Sequence, residues 1–209
     1  METPLISIAL VEGDKDIVDY FNENKIRGCE VVEIHDEKDL KKLVNADLVF
    51  LLYDKLNKPL KEQIKSYNWH LLVGVSQHPE PIFTSFIRAS PEEAPRLINQ
   101  LIECINIPCL TGLDFADIHK LFSMSPIMEV WSCKGKNIKD ILDQIKYKKL
   151  KACMFILSGS EKLQLDNVLK VGEHLNKISE FVIYGSRIDP SLKDNLELVI
   201  FGGFLTDRW

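Results

Sequence analysis

Gly112-Leu113-Asp114-Phe115-Ala116-Asp117-Ile118 is the stretch that decides how this 209-residue chain is read. It follows a long helical segment, opens another helix, and sets two carboxylates three residues apart. Helix chemistry alone gives these residues structural work. Asp114 suits an N-cap, and Asp117 in the first turn complements the positive end of the helix dipole. Phe115 and Ile118 are expected to face the core. On spacing alone, a helix start is favoured over a catalytic pair.

Downstream, the pattern predicts a helix to about Phe122, a strand over Ile127 to Cys133, and a helix over Asn137 to Tyr147. Ala152 to Ser158 reads as a strand. Leu165 to Ile178 reads as a helix with Val168, Leu169, Val171, Gly172 and Leu175 towards a sheet. Glu180 to Ser186 and Leu196 to Phe201 are strands, with Asp189-Pro190 in the turn between them. These elements make a compact α/β domain with a mixed sheet.

Upstream, short apolar runs alternate with helical patterns. Leu5 to Val11, Cys29 to Ile34, Asp47 to Tyr53 and Trp69 to Ser76 read as buried strands. Helices are expected from Asp14, around Asp39 to Val44 and near Leu60 to Tyr67, with Gly28 as a left-handed cap. Such strands imply a parallel sheet covered on both faces. Gln77 to Ile82 is a loop, and the stretch from there to Ser90 is assigned no helix or strand. Ser90-Pro91-Glu92-Glu93 starts a helix towards Ile105, with Ser90 as cap and Pro91 first in the helix.

Gly112 to Asp117 resembles the Asn-x-Asp-Phe-Ala-Asp loop of FtsZ, the bacterial relative of tubulin. Leu165-Asp166-Asn167, Val171-Gly172-Glu173, Val182-Ile183-Tyr184-Gly185-Ser186 and Ile188-Asp189-Pro190-Ser191-Leu192-Lys193-Asp194 look like consecutive pieces of the FtsZ C-terminal domain. The resemblance is specific from about Pro108 to Phe204. It implies an α/β fold: a reduced, Rossmann-like parallel-sheet N-terminal domain over residues 1–107, connecting helix included, then an FtsZ C-terminal-like domain with a mixed sheet over 108–209. Gly112 stands where the motif has Asn, which removes a side-chain amide from the loop.

FtsZ-like proteins bind GTP on the N-terminal domain through glycine-rich loops. Glycine is needed there because backbone N–H groups must approach phosphates closely. Residues 1–111 of this chain hold only Gly13, Gly28 and Gly74. After the first strand stands Glu12-Gly13-Asp14-Lys15-Asp16, whose three carboxylates would repel a triphosphate. After the third, Asp54-Lys55-Leu56-Asn57-Lys58-Pro59 replaces the family's Gly-Gly-Gly-Thr-Gly-Thr-Gly loop. No cofactor is therefore expected, GTP included, and the missing loops point away from an enzyme.

Charge and composition narrow the partners. With 31 acidic against 26 basic residues the formal charge is −5, which argues against nucleic acid as the main partner. The cluster Lys146, Lys148, Lys149 and Lys151 is read as a solvated helix end. Five cysteines (29, 104, 109, 133 and 153) form no Cys-x-x-Cys pair, so they read as free thiols in a reducing cytoplasm, and neither they nor the five histidines have metal-site spacing. No apolar run is long enough to insert in a membrane. The sequence ends at Asp207-Arg208-Trp209, where FtsZ continues to a peptide that engages membrane-tethering partners, so recruitment to a membrane by that route is not expected.

Three functions follow. The first is a cytoplasmic, non-hydrolysing FtsZ-like protein of cell division that acts by protein–protein association. Gly112, Asp114, Phe115 and Asp117 would form its polymer-interface loop, and Asp114 and Asp117 would act only in trans, on the nucleotide of an FtsZ-type partner. The second is a small-molecule-binding protein or enzyme using the cleft at the carboxyl ends of the N-terminal strands, near Tyr53, Asp54, Ser76 and His78. The third is an unrelated binding role on an inherited scaffold.

Overall fold

The computed structural model describes residues 5–11, 15–26, 28–106, 110–146 and 149–204. The chain divides into two compact units, the first running to Ile102 and the second starting at Glu103.

The first unit contains β1 (Ile6–Val11), α1 (Lys15–Glu23), β2 (Cys29–Ile34), a 3-10 turn (Asp39–Leu43), β3 (Leu48–Leu52), α2 (Lys58–Ser66), β4 (Leu72–Ser76) and β5 (Ser85–Arg88). Its strands lie in the order β2-β1-β3-β4-β5, all parallel. β1, β3 and β4 are buried along their whole length, as strands covered on both faces must be. Gly74 in β4 lies beneath the Phe83 ring, which stacks on Tyr53 with centroids 5.4 Å apart.

Helix α3 (Ala94–Asn106) carries the chain from one unit into the other. The second unit contains α4 (Phe115–Met124), β6 (Ile127–Gly135), α5 (Ile138–Leu142), β7 (Ala152–Gly159), α6 (Leu165–Leu175), β8 (Val182–Ile188), a 3-10 turn (Pro190–Leu192) and β9 (Leu196–Gly203). β9 runs antiparallel to both β6 and β7, and β8 joins β7 in parallel, giving the mixed order β6-β9-β7-β8. β7 and β9 are buried throughout. Phe155, Leu157, Val168, Val171, Leu175, Leu198 and Ile200 close the core between the sheet and α6.

Several expectations are corrected. β5 lies in the stretch before Ser90 to which the sequence pattern assigns no helix or strand; its four residues are too few to show a clear period. Helix α3 begins at Ala94 rather than Pro91, although Ser90 Oγ does accept from Glu93 N. A start at Pro91 would put Pro95 in the helix interior, where it removes a hydrogen bond; from Ala94 it falls in the first turn, where it does no harm. Gly28 has φ 74° but sits five residues past α1, turning the chain into β2 rather than capping the helix. Leu169 faces outward at 44% exposure, because Val168, Val171, Gly172 and Leu175 already fill the buried stripe. Helix α5 ends at Leu142, where Gln144 N and Ile145 N switch to i−3 carbonyls, so Lys146 lies beyond the helix end.

Burial accounts for the thiols. Cys104 and Cys153 are buried, and Cys29 and Cys133 are half-buried. Desolvation pushes the Cys153 thiol up to about 11, and desolvation together with the Glu30 carboxylate pushes Cys29 up to about 12. Cys109 lies outside the described residues.

Candidate functional site

The acidic loop is built as a helix start. Asp114 is extended (φ −85°, ψ 141°), and its Oδ1 accepts from Ala116 N at 2.7 Å, so the cap predicted from sequence is present. Ile118, Leu121 and Phe122 turn into the core, while Phe115 is only half-buried. Asp117 lies in the first turn with its side chain exposed, as Asp114's is. Gly112 is exposed too, and a Cβ there would meet nothing nearer than the Cys104 carbonyl at 3.9 Å. All four residues assigned to the loop therefore lie in one short segment, and both carboxylates reach solvent.

What supports that segment lies outside the motif. Thr111 N donates to Ser186 Oγ at 2.9 Å, and Ser186 N returns a bond of 2.9 Å to the Thr111 carbonyl. Leu113 N donates to the Cys104 carbonyl at 3.1 Å, and Cys104 Sγ donates to the Ser186 carbonyl at 3.6 Å. Next along β8, Arg187 pairs through Nε with Glu103 in the last turn of α3 and through Nη1 with Asp189 at 2.8 Å. Burial opposes the Arg187 charge, but Glu103 and Asp189 outweigh it and hold the guanidinium above its ordinary value. Burial would also raise the Asp189 carboxyl. Hydrogen bonds from Ser191 and the Arg187 charge prevail and hold it below the usual carboxylate range. Glu103 and Arg187 carried no signal in the sequence, since partners 84 residues apart leave no local pattern.

In the first unit, a cavity of about 330 Å³ opens at the carboxyl ends of β1, β3 and β4. Leu10, Leu52, Val75 and Ala94 give it apolar walls, and Tyr53, Asp54, Lys55 and Ser76 bring polar groups. Tyr53, Asp54 and Ser76 thus meet as the cleft reading expected. His78 does not line the cavity; its backbone carbonyl accepts from Tyr53 Oη at 3.0 Å, and its N–H donates to Ser76 Oγ at 3.2 Å. Burial, with Glu80 as a lesser cause, raises the Tyr53 hydroxyl well above its ordinary value, which keeps it a neutral donor.

The connection from β3 to α2 is closed by its own chain. Asn57 caps α2, its Oδ1 accepting from Leu60 N at 2.9 Å and its carbonyl from Lys61 N at 3.1 Å. Pro59, in the first turn, has no N–H to offer. The Glu12-Gly13-Asp14 loop lies outside the described residues. Among the described residues no three His, Cys, Asp or Glu side chains converge as a metal site, and no helix is long and apolar enough to cross a membrane.

A parallel-sheet unit leading through α3 to a mixed-sheet unit, with an acidic loop at the start of α4, defines the FtsZ/tubulin-like class of fold. Solved structures agree. An empty FtsZ dimer from M. jannaschii matches with a TM-score of 0.77 at 11% identity, over 97% of this chain and 89% of that one. CetZ from Methanosaeta thermophila matches at 0.66 and 11% identity, over 96% and 86%. CetZ2 from Haloferax volcanii, in a GTPγS-bound protofilament, matches at 0.64 and 9% identity, over 97% and 94%. No family model matches the sequence, and no curated protein does. The chain has the FtsZ/tubulin-like fold.

Proposed function

We propose that this protein is a pseudo-GTPase that acts by association with an FtsZ-type subunit, capping or regulating its filaments in the cytoplasm during cell division. The contrast between two helix starts carries the reading. At α2, Asn57 and Pro59 leave little for a phosphate to bind, since anion sites of this kind need unclaimed N–H groups at a helix N-terminus. At α4, the Asp114 and Asp117 carboxylates reach solvent.

In the FtsZ family, subunits join head to tail, the acidic loop of one meeting the nucleotide held by the next. A chain with the acidic face alone adds to one end of such a filament and refuses the next subunit, because a heterologous assembly needs both faces to propagate. Asp114 and Asp117 then orient the attacking water on the partner's nucleotide. That the similar structures include an FtsZ dimer and a CetZ2 protofilament supports association as the mode of action.

Two measurements test this. Calorimetric titration with GTP should give no binding at micromolar concentration. Substoichiometric protein added to a polymerising FtsZ-type subunit from the same cell should shorten filaments and change GTP turnover. Micromolar GTP binding lost on altering the Asp54 to Pro59 connection, or filaments left unchanged, would overturn the reading.

The cavity beside Tyr53, Asp54 and Ser76 favours a second reading, a small-molecule-binding protein or enzyme at the ends of the parallel strands. A metabolite that raises the thermal midpoint of the wild type but not of Asp54→Asn, with filaments unaffected by the protein, would select it.

A further inference from the structure

Contacts along three sides tie the last turn of α3, the segment before Asp114 and the outer strand β8 into a closed triangle. Glu103 and Cys104 reach β8 at Arg187 and Ser186; Ser186 reaches the segment at Thr111; and Leu113 returns to the Cys104 carbonyl. Ser186 is the shared vertex. It is fully buried, its Oγ accepts from Thr111 N, and the same hydroxyl lies 3.4 Å from the Thr111 carbonyl as donor. Its backbone N–H, directed away from β7, is satisfied by that carbonyl too, so one residue fixes both backbone polar groups of Thr111. Gly185 completes the seat: a Cβ there would come within 3.1 Å of Leu113 Cγ and 3.4 Å of Cys104. Even a methyl there would require the Leu113 side chain to shift by a few tenths of an ångström from its seat against the strand.

We infer that Ser186 is a positioning residue for partner recognition, holding the loop so that Asp114 and Asp117 are presented in one arrangement before any partner arrives. The inference rests on the association reading above. A pre-ordered loop gives up little conformational freedom on docking, so affinity depends on the clamp even though Ser186 is buried and touches no partner. Neither Ser186 nor Gly185 belongs to the acidic motif, and their contacts with Thr111 and Leu113 are visible only in the folded chain.

The test pairs a local with a functional readout. Ser186→Ala removes the hydroxyl, Ser186→Thr keeps it, and Gly185→Ala displaces Leu113 while leaving the Ser186 bonds in place. Amide hydrogen exchange at Thr111 and Leu113 is followed in each full-length protein, alongside its thermal midpoint. Association is measured by co-sedimentation with an FtsZ-type subunit polymerised in GTP.

Ser186→Ala is expected to speed exchange at Thr111 about tenfold and to weaken association roughly five- to tenfold, the size of one lost hydrogen bond. Its thermal midpoint should fall by only about 2–4 °C, the cost of that one bond in a chain of this size, and Ser186→Thr should recover exchange and association. Gly185→Ala should loosen Leu113 by its separate route. Unchanged exchange in both Ser186→Ala and Gly185→Ala overturns the clamp. Faster exchange with undiminished association overturns its role in recognition. A wild type that never co-sediments overturns the association reading instead; faster exchange in the variants would still support the clamp, so the two failures are distinguishable.

Discussion

Two connections in this chain end in the same local device and differ in everything around it. Between β3 and α2, Asn57 caps a helix by accepting from Leu60 N; between α3 and α4, Asp114 caps one by accepting from Ala116 N. The first cap is a local closure, reinforced by Pro59. The second is preceded by backbone held from residues 75 positions away, through Ser186. Cap chemistry therefore says nothing about which connection is a working surface. Tertiary support separates them: the backbone before Asp114 is held by a buried hydroxyl and packed against a glycine, to a degree that capping a helix does not require.

The largest effects are expected where a side chain would be forced into these supports. At Gly74 an added Cβ would lie 2.6 Å from the Phe83 ring. Gly74→Val should therefore cost about 3 kcal/mol, at the upper end for overpacking. Urea denaturation should show it as a lowered midpoint, and the Tyr53–Phe83 stack beside the cavity should open with it. A loss under 1 kcal/mol would mean that this side of the molecule yields far more readily than its packing suggests.

Next comes the charge cluster behind the acidic loop. Arg187→Met leaves Glu103 and Asp189 without their cation, both mostly buried, and should cost about 1–3 kcal/mol. Its pH dependence follows from the direction of the Asp189 shift. A carboxyl whose folded pKa lies below its unfolded value of about 3.9 contributes stability above that value and loses it as pH falls through the folded one. Wild-type stability should therefore fall more steeply between about pH 4 and pH 2 than that of Asp189→Asn. Parallel acid profiles would show that the cluster does not hold β8 as its geometry implies.

The second unit was far more legible in the sequence than the supports of its loop. Alternation, length and the Asp-Phe-Ala-Asp motif gave β6 to β9, the helices between them and the Asp114 cap, because each is written in residues close together in the chain. A mixed sheet was legible from the order of the elements, in agreement with the family resemblance, but the partners of β7, β8 and β9 were not. Residues 94 to 106 were legible as a helix, but its first turn depends on Pro95, whose missing N–H outweighs the attractive Ser90-Pro91 start. β5 was hidden by its shortness, and Leu169 by a hydrophobic stripe one position wider than the helix buries. Glu103, Cys104 and Arg187 were out of reach, since their roles exist only once α3 and β8 lie side by side.

A smaller effect sharpens the contrast between the two caps. Asn57→Ala should cost about 1 kcal/mol, as loss of an N-cap generally does, and Asn57→Asp should recover most of it. Neither should alter the effect on FtsZ-type filaments, because this helix start takes no part in the proposed docking. An Asn57→Ala protein of near-normal stability that no longer affects filaments would move the working surface to the first unit and break the comparison.

The smallest change in stability should accompany the largest change in function. Asn caps a helix nearly as well as Asp, so Asp114→Asn should keep the bond to Ala116 N and shift stability by only a few tenths of a kcal/mol. Asp117→Asn removes an exposed charge that interacts favourably with the helix dipole, at a cost of about 0.3–1 kcal/mol. If these carboxylates serve only α4, both variants should shorten filaments and alter GTP turnover as the wild type does. If they face a partner's nucleotide, each neutral amide has lost the ability to take a proton from, or orient, the attacking water, and the effect on turnover should fall at least tenfold while the fold stays intact. Urea midpoints and GTP turnover measured on the same preparations separate the two accounts. Intact stability with full effect on filaments leaves Asp114 and Asp117 as helix-start residues alone, whereas intact stability with lost effect assigns them to the partner.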